Sequence, residues 1–400
     1  MNDGTAGRGG SAGKAPGFAA ATADDTLTIV PVSGRRGLAD FLQVPFAVYR
    51  DDPSWVPPLA FERRQALSPK QPFFAHADWQ AWVAYHDGAP VGRITAQLDR
   101  LHEERYGERA GYFGMIEAPD APALFAGLLG AAEHWLRDRD AVKAVGPFNL
   151  GINQELGILV DGFDTPPYFM MPHSRPYYGT ALEAHGYRGV QDLLAYVMDP
   201  DFEPPPVMAV LLRRLATQGV ILRPLRRKQA DEDLEILRDI FNDAWSQNWG
   251  FVPFTRAEFN AVGREMLMLI PDDFIHIAEV RGRPCAFIVL LPNINEAIAD
   301  LNGRLLPFGW ARLLWRLKVR FPRTGRVPLM GVRRELHHTR LGPGLAFLVI
   351  DAIRRAAVGA GMREVEMSWI LADNMGMRNI IESIGGHVSK RYRMYEKALS

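Results

Sequence analysis

Three residues of this chain recur at one constant offset, Glu183 with Glu382, Gly186 with Gly385 and Tyr196 with Tyr395. They lie inside runs that read the same way twice, and such an internal repeat fixes the architecture before any single element is assigned. "WVAYHDGAPVGRITAQLD" (82–99) and "HIAEVRGRPCAFIVLLPN" (276–293) each read as strand, tight turn, strand. On the left follow a strand "GYFGMIEA", a helix "ALFAGLLGAAEHWLRDR", a strand "AVKAVGPFN" and the closing "YYGTALEAHGYRGVQDLLAYVMD". On the right the matching order is "VPLMGVRRE", "GLAFLVIDAIRRAAVGAG", "REVEMSWIL" and "MRNIIESIGGHVSKRYRMYEK". The chain therefore reads as two tandem α/β domains of the α+β kind, each a mixed, mostly antiparallel sheet flanked by helices.

The proline cluster "DPDFEPPPV" (199–207) separates the copies, since consecutive prolines interrupt helix and favour an extended connector. The expected division is a left domain over 27–200 and a right domain over 208–400. Residues 1–26, rich in Gly, Ala, Ser and Thr and without a continuous apolar stretch, read as a disordered tail rather than an export signal. Formal net charge is zero, so no global field draws the chain to nucleic acid. The single Cys285 forms no internal disulfide, and no His/Cys cluster has zinc-ligand spacing, which points to a reducing compartment and no metal. On that cysteine usage the chain reads as cytoplasmic, and since no window has the apolar length to span a bilayer, any membrane contact is made from one face.

The copies differ in their insertions. The left copy carries "GINQELGILVDGFDTPPYFMMPHSRP" (151–176) between its fifth strand and closing helix. The right copy carries "GRLLPFGWARLLWRLKVRFPR" (303–323), with two Trp, two Phe, six basic residues and no acid. From Trp310, helical spacing gathers Trp310, Leu313, Leu314, Leu317 and Phe321 on one face, with Arg312, Arg316 and Arg320 along another. Three readings stay open for it: a helix packed on its own domain, the lining of an apolar acceptor site, or docking to anionic headgroups.

"ELHHTRLGPGLAFLVIDAIRRAA" runs strand, loop, glycines, helix. Glycines admit close backbone approach, and a helix start offers unpaired N–H groups and partial positive charge, the makings of a phosphate site. Pro343 suits the first helical turn. The left copy has "MIEAPDAPALFAG" in its place; Glu117 and Asp120 would repel a pyrophosphate and the glycines are missing.

The order of elements on the right, with Thr339-Arg340-Leu341-Gly342-Pro343-Gly344 before the long helix and Asn374 after the fifth strand, resembles the GNAT superfamily of N-acyltransferases. The resemblance implies acyl-coenzyme A as co-substrate, with the pyrophosphate loop falling on residues 339–344 and Val332, Arg333, Arg340, Leu341, Gly342, Gly344 and Asn374 as the cofactor-binding residues. It also implies a tyrosine general acid at a position that is Ile381 here and Leu182 in the left copy. More narrowly, "GPFNLGINQELGILVDGFDTPPYFMMPHSRPYYGTALEAHGY" with "EVEMSWILADNMGMRNIIESIGG" resembles the bacterial ceramide synthase family over about residues 27–398. This implies N-acylation of a long-chain sphingoid base, sphinganine or its 3-keto form. Two further functions remain, N-acetylation of a small amine or protein terminus and non-catalytic lipid binding.

Amide formation needs a neutral amine, a base and donors for the oxyanion. In "EVEMSWIL" Glu366 and Ser368 share one strand face. Glu366 is a base or a carboxylate satisfied by a neighbouring Arg, and Ser368 a backbone partner more than a nucleophile. In the left insertion Asn153, Glu155 and Asp161 either fix the loop or face a ligand, Glu155 being the second candidate base. Tyr178 with Tyr177 is a candidate replacement acid or packing. His337, His338 and His173 have no marked role, and Cys285 reads as core.

Overall fold

In the computed structural model, residues 27–399 are described, so the expected tail over 1–26 lies outside the described residues. The left half contains the strands β1 (Leu27–Pro31), β2 (Ala77–His86), β3 (Ala89–Asp99), β4 (Ala110–Glu117), β5 (Lys143–Gly146), β6 (Phe148–Asn149), β7 (Glu155–Leu156), β8 (Ile158–Asp161) and β9 (Arg188–Met198). Its helices are α1 (Gly34–Val48), α2 (Ala60–Ala66), α3 (Arg100–Tyr106), α4 (Pro122–Arg137) and α5 (Tyr178–Ala184). The right half adds β10 (Val220–Pro224), β11 (Ile275–Val280), β12 (Arg283–Pro292), β13 (Thr324–Val332), β14 (Glu364–Leu371) and β15 (His387–Ala398). Its helices are α6 (Pro206–Ala216), α7 (Ala230–Ala244), α8 (Arg256–Leu267), α9 (Ile294–Ile298), α10 (Gly309–Lys318), α11 (Gly342–Gly359) and α12 (Met375–Ser383).

The repeat is visible in the turns. Each half opens its sheet with a two-residue hairpin whose residues both have positive φ, Asp87-Gly88 on the left and Arg281-Gly282 on the right. That conformation matches the twist of the flanking strands. Gly186 and Gly385, one pair of the constant offset, follow α5 and α12 at φ near +83° and +90°. Both end a helix in the left-handed region, where a side chain is strained.

One 13-stranded sheet joins the halves, in the order β1-β2-β3-β4-β5-β15-β9-β14-β13-β12-β11-β10, with β8 pairing β15. Within each half one neighbouring pair is parallel, β4 with β5 and β13 with β14; the rest are antiparallel. The last strands are exchanged, for β15 of the right half pairs β5 of the left, and β9 of the left pairs β14 of the right. The division at the prolines is thus one of sequence, whereas each half's sheet is completed by the other's closing strand. The central register obeys the repeat: Asp192 faces Arg393 and Leu194 faces Arg391, one pairing seen from its two ends. Tyr196 Oη donates to Glu382 Oε1 at 2.7 Å, across the exchange. Tyr395 Oη sits against α5, where a Cβ on Gly179 would lie 2.7 Å from it. The recurrent Glu and Tyr therefore mark where each strand meets the other half's closing helix.

Strand alternation sends Trp82, Ala84 and Ile94 to a core under α4, and Ala81, Val83 and Met115 to one under α1. On the right, α7 and α11 cover the sheet in one continuous core with α6. The proline segment was read as a connector, but Pro206 is already the first residue of α6, a position where the missing N–H costs nothing. Beyond the sheet, Phe148 stacks on Trp249 at 6.3 Å, and Asn153 Nδ2 donates to Val252 O at 3.1 Å.

Candidate active site

The parallel strands β13 and β14 are in register from Thr324 opposite Glu364 to Val327 opposite Met367, and then part. Arg326 faces Glu366 in that register, and both are fully buried. Ser368 Oγ accepts from Arg326 Nε at 2.8 Å and donates to Glu366 Oε1 at 2.6 Å. Arg326 spends its other donors on Phe169 O (3.1 Å), Met170 O (3.3 Å) and Ser368 O (3.3 Å), and lies 4.6 Å over the Trp369 ring. Phe169 and Met170 belong to the left insertion, which roofs the fork. From β15 the buried Lys390 donates to Gly162 O and, at 2.7 Å, to Thr165 O of the same insertion.

A charge pair sealed from water is favourable only when its remaining polar atoms are satisfied. Here they are not all satisfied, since Glu366 Oε2, Trp369 Nε1 and Tyr392 Oη have no hydrogen-bond partner among the described residues. Burial pushes the Glu366 carboxyl up to about 7, against the opposing pull of Arg326, the Ser368 hydroxyl and Lys390. Burial, and next the Glu366 charge, hold the Tyr392 phenol well above its usual range, so it stays a donor at neutral pH. A carboxyl poised near neutrality takes up or gives a proton most effectively there. Glu366 thus has an arginine 3.7 Å away and one oxygen without a hydrogen-bond partner among the described residues.

Glu155, the second candidate base, is placed differently. Burial alone would raise its carboxyl, but Arg63, to which it is hydrogen-bonded, and Asn149 at 3.2 Å outweigh this and hold it below the usual range. It is an ionised ion-pair partner. Asn153 joins the halves through Val252 O, and Asp161 ends the exposed edge of β8. Tyr178 is not at the fork; its hydroxyl donates to Glu117 Oε2 at 2.7 Å in the left core, and Tyr177 donates to Ala118 O. His173 Nε2 lies 2.9 Å from Asp52 Oδ2, and Cys285 is core as expected. Ile381 and Leu182 are buried core side chains.

Arg326, Lys390, Trp369 and Tyr392 were not singled out by the sequence. The available signal was a basic residue at an inward position of an otherwise apolar strand, as in "TGRVPLMGV".

On the right, the anion loop leads into α11. The first helical hydrogen bond runs from Leu345 N to Leu341 O, so the N–H groups of Gly342 and Gly344 precede the helical ladder. Arg340 is exposed and makes no ion pair among the described residues. The other expected cofactor contacts are engaged internally. Leu341 N donates to Thr339 Oγ1, Val332 O meets His337 Nε2, and Arg333 donates from Nε to Pro284 O and from Nη2 to Asp239. Asn374 caps α12, its Oδ1 accepting from Met377 N at 3.1 Å. The glycines also have a reason other than ligand approach. A Cβ on Gly342 would lie 2.4 Å from Leu336 O, and one on Gly344 3.3 Å from the Leu215 side chain of α6.

On the left, Glu117 does not present its charge to the loop. It turns inward, accepting from Tyr49 (2.6 Å) and Tyr178 (2.7 Å), with Arg93 at 3.7 Å. The expected repulsion by Glu117 is therefore corrected: the end of β4 is filled by α1 and α5, and Asp120 alone is exposed. In helix α10 the expected apolar face is divided. Leu313 and Leu317 pack with Ile294, Ile298 and Phe169, and Phe321 packs on Phe274, whereas Trp310 and Leu314 turn outward. Arg316 and Arg312 pair with Asp300, and Arg320 is exposed.

No protein-family model matches the chain. The protein YghO of Escherichia coli K12 is 52% identical over 366 residues, spanning 91% of this chain and 94% of its own length. The bacterial ceramide synthase of Caulobacter vibrioides is 44% identical over 375 residues, 93% of this chain and 98% of that protein. A tandem GNAT protein from the clavulanic acid biosynthesis pathway superposes with a TM-score of 0.56 at 14% identity, over 94% of this chain and 99% of that one. A GCN5-related glucosamine N-acetyltransferase region of a fungal multi-domain β-N-acetylglucosaminidase gives 0.57 at 14% identity, over 94% and 38%. At that identity the two structures speak to the fold alone.

Proposed function

Because the chain belongs to the family of the bacterial ceramide synthase of Caulobacter vibrioides, N-acyltransferases of tandem GNAT fold, we propose that it transfers a fatty acyl group from acyl-coenzyme A to the amine of a long-chain sphingoid base. The observation that carries this reading is the Glu366 carboxyl, buried where β13 and β14 part, pushed up to about 7 and left with one oxygen unpartnered. Glu366 takes the proton of the acceptor ammonium. The amine nitrogen then attacks the thioester carbonyl carbon, the C–N bond forms, the C–S bond breaks, coenzyme A leaves as thiolate, and the remaining surplus proton of the nitrogen passes to that thiolate as the neutral amide forms. A thiolate is a tolerable leaving group near neutral pH, so the absence of tyrosine at Ile381 does not forbid the step. Tyr392 and Trp369 are the donors we assign to the developing oxyanion, and Ser368 with Arg326 positions Glu366.

Arg340 and the N–H groups of Gly342 and Gly344 suit a pyrophosphate, through charge and the α11 dipole. The left loop lacks all three. We assign the left half to acceptor binding, with its insertion over the fork. The acceptor being a membrane lipid, the site of action is the cytoplasmic face of a bilayer. No helix among the described residues is long and apolar enough to cross one.

The test is incubation of the pure protein with sphinganine or 3-ketosphinganine and acyl-coenzyme A of graded chain length, with products read by mass spectrometry. Ceramide or its 3-keto form is expected. Acetyl transfer to small amines alone would replace the acceptor by a small one, and lipid binding without transfer would remove the enzyme reading.

A further inference from the structure

We propose that α10, the 304–308 loop before it and Phe61 of α2 form one docking surface for an anionic lipid bilayer. No residue of α10 is buried. Leu306 is 79% exposed, Phe308 77%, Trp310 51%, Leu314 50%, Trp315 51% and Val319 69%, an apolar density that surfaces seldom leave bare. Phe61, 70% exposed, joins them from the left half: Ala60 N donates to Gly303 O at 3.0 Å, and Gly303 sits against Pro58. Helical rotation explains the arrangement. Leu313 and Leu317 lie on the face packed to α9, so Trp310 and Leu314 lie at its outer edge and Trp315 beyond.

Charge decides the occupant. Arg304, Lys318, Arg320 and Arg323 border these side chains and form no ion pair among the described residues, while the nearby acids are engaged, Asp300 and Glu62 with arginine and Glu296 with the backbone N–H groups of Arg323 and Thr324. A second copy docked about a two-fold axis would bring the same four cations together, which is repulsive. Anionic headgroups accept them while the indole and leucine side chains enter the interfacial layer. The surface also lies one layer above the fork. Phe169 packs beneath α10 with Leu313 and Leu317, and its carbonyl accepts from Arg326. A lipid drawn from the bilayer thus meets the roof of the Glu366 pocket first. That last step rests on the acylation reading; the docking does not.

Sedimentation of the full chain with vesicles tests it without turnover. Vesicles of phosphatidylglycerol and phosphatidylcholine should bind it, pure phosphatidylcholine far less, and tryptophan emission should shift to the blue on binding. Trp310→Ser with Trp315→Ser, and separately Lys318→Glu with Arg320→Glu, should each weaken binding at least about tenfold with unchanged melting temperature. Equal binding to both vesicle types, or wild-type binding by both variants, overturns the proposal. So does absence of vesicle binding with a concentration-dependent dimer that the serine variant abolishes, which would make the face a copy interface. Vesicle binding by a chain that transfers no acyl group would leave the surface standing and remove the acylation reading alone.

Discussion

The ends of β4 and β13 occupy equivalent places in the two halves and have opposite chemistry. On the left, α1 and α5 close over the strand end, and Glu117 is consumed by two tyrosine hydroxyls and an arginine. On the right, the strand end opens into a longer loop with an exposed Arg340 that has no ion pair among the described residues and a helix start whose N–H groups precede the helical ladder. The two similar scaffolds differ in the length and filling of one loop, and the proposed assignment of the pyrophosphate to the right half rests on that difference. The fork at Glu366 spans the halves, because β13, β14 and, on β15, Lys390 and Tyr392 come from the right, whereas β9 between β14 and β15 and the insertion over them come from the left.

The largest expected effect lies at the fork. Glu366→Gln should lower kcat by roughly 100-fold or more, the range of a lost general base. Wild-type activity should rise with pH through about 7, because the ionised carboxylate is the active form, and this limb should vanish in the variant. Glu155→Gln, whose native carboxyl is held low by Arg63, should leave the midpoint of the limb in place. A limb that moves with Glu155 instead would reverse the assignment of the two carboxylates. Next, Arg340→Glu should raise the KM for acyl-coenzyme A about tenfold or more with little change in melting, whereas Asp120→Arg in the left loop should not create a second site. Equilibrium binding of coenzyme A to both variants decides it. Gly342→Glu is a poorer probe, because a side chain there meets the Leu336 carbonyl whatever the loop binds.

A stability effect should mark the filled left loop. Glu117→Ala leaves the buried Tyr178 hydroxyl without its acceptor and Tyr49 with only the longer bond to the His173 carbonyl at 3.2 Å, a cost of about 2 kcal/mol, while acyl-coenzyme A binding stays put. Chemical denaturation with a parallel binding curve checks both parts. The smallest effect concerns the seam between the halves. His76 Nδ1 lies 2.9 Å from Asp99 and its Nε2 3.2 Å from Glu258, an ion pair whose angle falls short of a hydrogen bond. Burial opposes its protonation, but the two carboxylates prevail and raise it from 6.5 to about 9. The raised folded value means that the stabilisation is complete below about 6.5 and lost as pH climbs through 9. With partial solvent screening, about 1 kcal/mol should disappear between those limits, and Glu258→Gln should flatten the dependence. A denaturation midpoint that is pH-independent in the wild type would show that His76 does not link the halves.

Much of this was legible in the sequence. The repeat, the paired hairpin turns at Asp87-Gly88 and Arg281-Gly282 and the glycines after both closing helices all follow from local preferences that tertiary context left intact. Glu366 and Glu155 were legible as carboxylates among apolar residues but not as different ones, because their partners, Arg326 and Arg63, lie far away in sequence. For α10 the periodicity placed Trp310, Leu313, Leu314 and Leu317 correctly on one arc, yet an arc has no direction until something packs against part of it. Ile294 and Ile298 took Leu313 and Leu317, and the rest stayed outside.

By itself the sequence determined the two copies and their elements, since φ preference, strand alternation and helix spacing act over a few residues. Only the tertiary structure decided that β9 and β15 change places. Both strands carry the same pattern and each can close either half, so the choice depends on which edge the rest of the fold leaves within reach, and with it the assembly of Arg326, Glu366, Lys390 and Tyr392 in one buried fork.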